Sequence, residues 1–233
     1  MKKFVRAVGA RVTPRFVVVA AVMGGLVVTG AVAPVAAQAA NCSGLQIVYA
    51  RGTGEEANPY GAILGNTLVK DLQADVPGTT AVAVQYPASL ASSSPTEGNS
   101  ALVNYVTKEA AECPSQKFVL AGYSQGANVV AMSFGLSTSG AWVGGPSVAQ
   151  LPASLASHVT AVLMFGPPYN QIGRSVPSPY SAVTDQFCAK GDLFCSTEPN
   201  LTYGALIHLL AYQSNLSSAA SYAASNYVNG VVA

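Results

Sequence analysis

"KFVLAGYSQGANVVAMSF", residues 117–134, joins two patterns at a single serine. Up to Tyr123 the residues are apolar on both faces of a short run, as in a buried strand. From Gln125 onward, small and apolar residues continue as a helix would carry them. Ser124 therefore stands where a strand ends and a helix begins. That placement gives Gly122-Tyr-Ser-Gln-Gly126 a mechanical meaning. A tight strand–helix turn projects the hydroxyl outward, and the next backbone N–H opens the helix, where it can bond an oxyanion. Glycines on both sides let helix and strand approach closely. The pentad alone is weak in a chain with 22 glycines. A Gly-rich turn with a bystander serine is the competing reading, and the surroundings decide between them.

Strand-like and helix-like segments alternate on either side. Strands are expected at 45–50, 79–86, 117–123, 159–165 and 182–187. Helices are expected at 60–75, 97–112 and 125–137, and through the Ala-rich tail from about 203. The stretches 91–100, "ASSSPTEGNS", and 135–152 read as connecting loops. Alternation of this kind, with strands apolar on both faces, indicates an α/β fold: a mostly parallel sheet of about five strands covered on both sides. No repeat and no interdomain linker is visible.

The first forty residues form a separate unit. "MKKFVRAVGARVTPR" carries five Lys/Arg, an apolar run follows, and "AQAA" ends it. Basic, apolar, small is the order of a secretory signal peptide. An uncleaved anchor is the alternative, and cleavage near Ala39 or Ala40 is the expectation. Residues 41–233 then form one secreted, extracellular domain. Five of the eleven basic residues leave with the leader, so six remain against ten acidic ones, a net charge of −4. Such a chain has no basic cluster to attract nucleic acid. The sequence is silent on oligomeric state, and a monomer is the expectation.

All four cysteines, Cys42, Cys113, Cys188 and Cys195, follow the leader. An even count behind a secretion signal reads as two disulfides, in any of three pairings. Metal binding is disfavoured, because no C-x-x-C occurs and neither histidine lies at ligand spacing from a cysteine. No phosphate-loop or dinucleotide motif is present either, so no cofactor is expected.

A serine needs a base to attack a carbonyl. There are two histidines, His158 and His208. In a strand–turn–helix nucleophile architecture the chain order is serine, acid, histidine. His208 fits that order, whereas His158 sits just ahead of a strand and reads as a surface or helix-end residue. The acid then falls between them, at Asp185, Asp192 or Glu198. Asp185 lies inside a strand. Asp192 lies in "CAKGDLFC" between two cysteines, where a stapled loop would hold a carboxylate in place. Thr53, in "YARGTGEE" after the first strand, could offer a second oxyanion donor beside the Gln125 N–H.

Taken together, "YARGT", "GYSQGA", "GDLFC" and "HLLAY", with a cysteine ahead of the first and of the second, resemble the cutinase family of secreted serine esterases, which includes acetylxylan esterases. The resemblance spans Cys42 to about Tyr212, and 167–181 is not aligned by it. It implies a three-layer α/β-hydrolase fold without a large lid. It implies a triad of Ser124, Asp192 and His208, oxyanion donors Thr53 and Gln125, and disulfides Cys42–Cys113 and Cys188–Cys195. The implied substrates are acyl esters of lipids or polyesters, met in transient contact with a lipid or polymer surface. Leucines around His208 favour acyl chains over sugars, and Trp142, the one tryptophan, offers no evident platform for polysaccharide. Acetylxylan esterase and phospholipase or lipase activity are the alternatives on the same site. An unused triad in a secreted binding protein is the alternative of another class.

Overall fold

Every residue of β1 (Leu45–Ala50) is buried, and all are apolar except Gln46, whose amide bonds Thr80 Oγ1 and the Tyr105 hydroxyl. Leu45, Ile47 and Tyr49 enter one core cluster, and Val48 and Ala50 enter the other. The same division holds in β3 (Lys117–Tyr123) and β4 (Val159–Phe165): Phe118, Leu120, Val162 and Met164 face one way, Val119, Ala121, Leu163 and Phe165 the other. These are the side chains of period two on a pleated strand. The computed structural model describes residues 42–56 and 59–233, so the expected signal peptide and the expected cleavage near Ala39 or Ala40 lie outside the described residues.

With β2 (Thr80–Ala83) and β5 (Thr184–Phe187), these strands form one sheet in the order β2-β1-β3-β4-β5, and every pairing is parallel. Helix α1 (Gly65–Asp75) packs with α5 (Leu216–Val228) on one face, through Leu68 and Leu72 against Leu216, Ala220 and Ala223. Helices α2 (Ser94–Glu112) and α3 (Gln125–Met132) cover the other, through Leu102, Val106, Ala127 and Val130. All eight residues of α3 are buried, so this helix belongs to the core rather than to the surface. Helix α4 (Gly204–Leu210) is short and stands beside the carboxyl ends of the strands.

From β1 the chain moves to β2 on one side, and it then returns to β3 on the other. The carboxyl ends of β1 and β3 therefore flank the point where the winding reverses, which is where open α/β sheets leave a crevice for ligands. Thr53 follows β1 and Ser124 follows β3.

Several boundaries differ from the expectations. Helix α2 begins at Ser94, within the stretch read as a loop, because Pro95 in the first turn is pre-set for a helix and has no N–H to satisfy. Strand β2 ends at Ala83 and not at 86, since the Arg51 guanidinium takes the carbonyls of Val84 and Tyr86. Strand β5 starts at Thr184 after a single 3-10 turn, Tyr180–Val183. Helix α3 stops at Met132 and not at 137, α1 starts at Gly65 and not at 60, and the tail is two helices broken at residues 211–215.

Candidate active site

Ser124 caps α3 with φ 55° and ψ −119°, a left-handed backbone that side-chain-bearing residues rarely adopt. The surroundings force it. The Ser124 N–H continues the β3–β4 ladder by donating to Phe165 O at 2.9 Å, while its carbonyl already accepts from Ala127 N–H at 2.9 Å. A Cβ at Gly126 would lie 1.9 Å from Ala50 O, and one at Gly122 would lie 2.3 Å from Gly126 O. Neither glycine has room for a side chain, because α3 packs directly on β1 and β3.

Gln125 is fully buried and its side chain is anchored: Oε1 accepts from the Ser94 hydroxyl at 2.8 Å, and Nε2 donates to Ser89 O at 2.8 Å. Its backbone N–H is the first of α3 and has no carbonyl within the helix to bond. On the facing loop, the Thr53 hydroxyl is buried and has no hydrogen-bond partner. Glu55 shapes that loop. Its Oε2 accepts from Gly52 N–H at 2.6 Å, and its Oε1 accepts from Ile63 N–H at 2.8 Å. Burial pushes the Glu55 carboxyl above its ordinary pKa, against the opposing pull of the two amides and of Arg51. Arg51 closes the loop from behind, donating to Glu55 O at 2.8 Å and to carbonyls of residues 84, 86 and 87.

The acid and base meet on separate elements. His208, on α4, donates from Nδ1 to Asp192 Oδ2 at 2.7 Å, and both side chains are buried. Asp192 Oδ1 accepts from Phe194 N–H at 2.7 Å and from Cys195 N–H at 3.2 Å. Tyr212 O–H donates to Oδ2 as well. Burial alone would raise the Asp192 pKa, but the bonds from His208, Tyr212 and Phe194 outweigh it and hold the carboxyl below its ordinary value. A Cys188–Cys195 disulfide closes this loop, and Cys42–Cys113 fastens the segment just ahead of β1 to the end of α2. Helix α4 is stitched to the same loop by Leu193 N–H to Gly204 O at 3.2 Å, and the segment leading into α4 by Asn200 N–H to Gly191 O at 2.9 Å.

The imidazole is held on its faces too. It stacks on the Tyr123 ring at 5.0 Å, meets Phe194 edge-on at 4.7 Å, and lies where a Cβ on Gly166 would come within 2.6 Å of its Cε1. His208 Nε2 is buried and unpartnered. No hydrogen bond joins it to Ser124 Oγ in this structure, although both residues line one cavity of about 410 Å³. Thr53 lines that cavity as well, and the rest of its wall is mostly apolar: Ile63, Leu90, Trp142, Val143, Phe194 and Leu209.

The other candidates lie elsewhere. His158 bonds Gln116 O at 2.9 Å at the start of β4. Asp185 is in β5 and Glu198 is exposed on the loop after Cys195. Among the described residues, no group of three His, Cys, Asp or Glu is placed to hold a metal. Sequence reasoning missed Tyr212, whose helical spacing of four from His208 was a usable signal. It also missed Trp142, which does line the cavity, and Pro168, which lines it from the unaligned 167–181 segment.

Known proteins resemble this chain in sequence and in fold. A 185-residue stretch is 38% identical to a cutinase of Kineococcus radiotolerans, covering 77% of this chain and 60% of that protein. The chain is also 33% identical to carboxylesterase Culp1 of Mycobacterium bovis, over 97% of this chain and 96% of the relative. A crystal structure of an acetyl xylan esterase superposes with a TM-score of 0.66 at 27% identity, covering 80% of this chain and 99% of that one. The cutinase family model matches residues 41–227, nearly the whole of the described chain, and the chain belongs to the cutinase family.

Proposed function

We propose that this protein is a secreted serine carboxylesterase that cleaves short- to medium-chain acyl esters, of lipids or polyesters, through an acyl-enzyme. The observation that carries the reading is the buried Asp192–His208 bond of 2.7 Å facing the cavity that Ser124 enters from a strained turn. In this reading Ser124 Oγ attacks the ester carbonyl while His208 Nε2 takes its proton. Asp192 stays ionised and fixes the tautomer through Nδ1. The N–H of Gln125 and the N–H or hydroxyl of Thr53 receive the oxyanion, each such donor lowering the barrier by about 3 kcal/mol. His208 returns the proton to the leaving alcohol, and water then releases the acid by the same steps in reverse. An unpartnered Nε2 and an unpartnered Thr53 hydroxyl are groups that a bound substrate would satisfy.

The apolar wall supports an acyl chain as the group that fills the site, in line with lipid or polyester substrates. The likeness to an acetyl xylan esterase keeps acetyl esters of polysaccharide as the second reading. Residues 41–233, produced with disulfides formed, should hydrolyse p-nitrophenyl esters from acetyl to palmitoyl in a manner that Ser124→Ala abolishes. A maximum at butyryl or longer supports the acyl-chain reading, and a rate confined to acetyl supports the second. A fluorophosphonate probe that leaves Ser124 unmodified would overturn both and favour a binding role.

A further inference from the structure

Trp142 is 56% exposed, yet it lines the cavity that holds Ser124 and His208. Its indole meets Phe194 edge-on at 5.5 Å, and Phe194 in turn meets the His208 ring at 4.7 Å. A half-exposed tryptophan on a loop is ordinary; the way this loop is built is not. Val143 has φ 44°, a left-handed backbone that is strained for a β-branched residue. A Cβ on Gly144 would lie 2.0 Å from Thr138 O, so the turn is tight on its far side. Thr138 N–H donates to Gly145 O at 2.9 Å, and Gly145 N–H donates to the Thr138 hydroxyl at 3.0 Å. From inside, the buried Asn128 amide donates to Trp142 O at 2.9 Å and to Val143 O at 3.3 Å. Asn128 stands on α3, one helical turn past Ser124, so one helix positions both the hydroxyl and the turn.

Strain at an exposed turn persists only where neighbouring structure over-determines it. Here the constraint brings two apolar side chains, Trp142 and Val143, over the cavity. We infer that the Trp142–Val143 turn is the chain-length wall of the acyl site, and that Trp142 is the residue that ends it. The inference rests on the reading of Ser124 as the acylated residue. A short acyl chain lies beneath the indole against Ile63, Leu90 and Leu209. A long chain must displace the indole from Phe194, and the Asn128 bonds resist that movement.

The test compares kcat/KM for p-nitrophenyl palmitate and butyrate in the native protein, Trp142→Ala and Trp142→Phe. Replacing the indole by a methyl group should raise the palmitate-to-butyrate ratio at least about tenfold, with the phenyl variant between. An unchanged ratio in either folded variant overturns the assignment, and the phenyl variant carries the test if the alanine one does not fold. A second readout needs no catalysis. Trp142 is the chain's only tryptophan, so octanoate, titrated below its micellar range, should change its emission saturably. No saturable change overturns the wall. A saturable change in a protein without serine-dependent hydrolysis supports the wall while rejecting the reading of Ser124.

Discussion

Tyr212 donates its hydroxyl to the same carboxylate oxygen, Asp192 Oδ2, that the His208 Nδ1–H engages. The phenol also accepts the Ala189 N–H at 3.2 Å, so one oxygen ties the stapled loop, the carboxylate and the chain after α4 together. Burial, and then the bond to Asp192, push the Tyr212 pKa well above its ordinary value, which keeps the hydroxyl a donor. Asp192 divides its charge between an imidazole and a phenol, and the phenol is the part that mutation can remove without touching the reacting atoms.

Tyr212→Phe therefore tests a positioning residue. Hydrogen bonds to charged groups contribute about 1.5–3 kcal/mol, so urea unfolding should report a loss of that order. A merely structural phenol would change nothing else. If it tunes the pair, the acid limb of kcat/KM moves to higher pH, because a carboxylate with one donor fewer holds the protonated imidazole more tightly. An unmoved limb would confine Tyr212 to stability.

Asp192→Asn should lower kcat/KM by about 10⁴-fold, since an amide can favour the wrong imidazole tautomer. Stability separates the two proteins by pH. Folding holds the Asp192 carboxyl below its ordinary pKa, so its contribution is complete above about pH 4 and is lost as pH falls through the folded value. The native protein should thus be the more stable at pH 7, and its advantage over Asp192→Asn should shrink on acidification toward pH 3. Parallel unfolding profiles would show that the carboxylate's charge is not what the loop stabilises.

Glu55 carries the opposite sign. Folding raises its pKa, so ionised Glu55 contributes less stability as pH rises from the ordinary carboxylate range to the folded value. Its use is geometric, as it pins Gly52 beside Thr53 and Ile63 in the cavity wall. Glu55→Gln keeps the shape but can accept only one of the two amides. Removing a buried charge offsets the lost bond, so melting should change little while kcat/KM for p-nitrophenyl butyrate falls about tenfold, as for a misplaced oxyanion donor. Full activity in this variant would mean that the loop holds itself.

How far the sequence discloses this site depends on the range of the interactions involved. Strands β1, β3 and β4 are legible because burial on both faces makes them almost continuous apolar runs, broken only by Gln46, Lys117 and Thr160. Ser124, Asp192 and His208 are legible because each sits in a short motif whose local geometry matters: an elbow, a stapled loop and a short helix. The premature end of β2 is not, since it depends on a guanidinium more than thirty residues earlier in the chain. Trp142 is not legible either. Its place over the cavity depends on Asn128, fourteen residues away on a different element, and on a left-handed backbone at Val143, where the sequence has a β-branched residue and not a Gly or Asn. Tyr212 is the intermediate case: "HLLAY" holds it at helical spacing from His208, but the spacing does not say that its hydroxyl reaches a carboxylate.

The elbow itself yields the last prediction. Ser124 holds a φ of 55° that glycine adopts freely. Left-handed backbone at a residue with a side chain costs about 1–3 kcal/mol, sustained here by the packing of α3 on β1 and β3. Ser124→Gly should remove turnover and also remove that strain, so the variant should be more stable than the native protein by about 1 kcal/mol. Ser124→Ala, equally inactive, keeps a Cβ and the strain, and its stability should stay close to native. Thermal unfolding of the three proteins at one pH separates the effects. If glycine and alanine variants melt together, the serine is not strained, and the elbow's geometry has been chosen for the hydroxyl at no cost in stability.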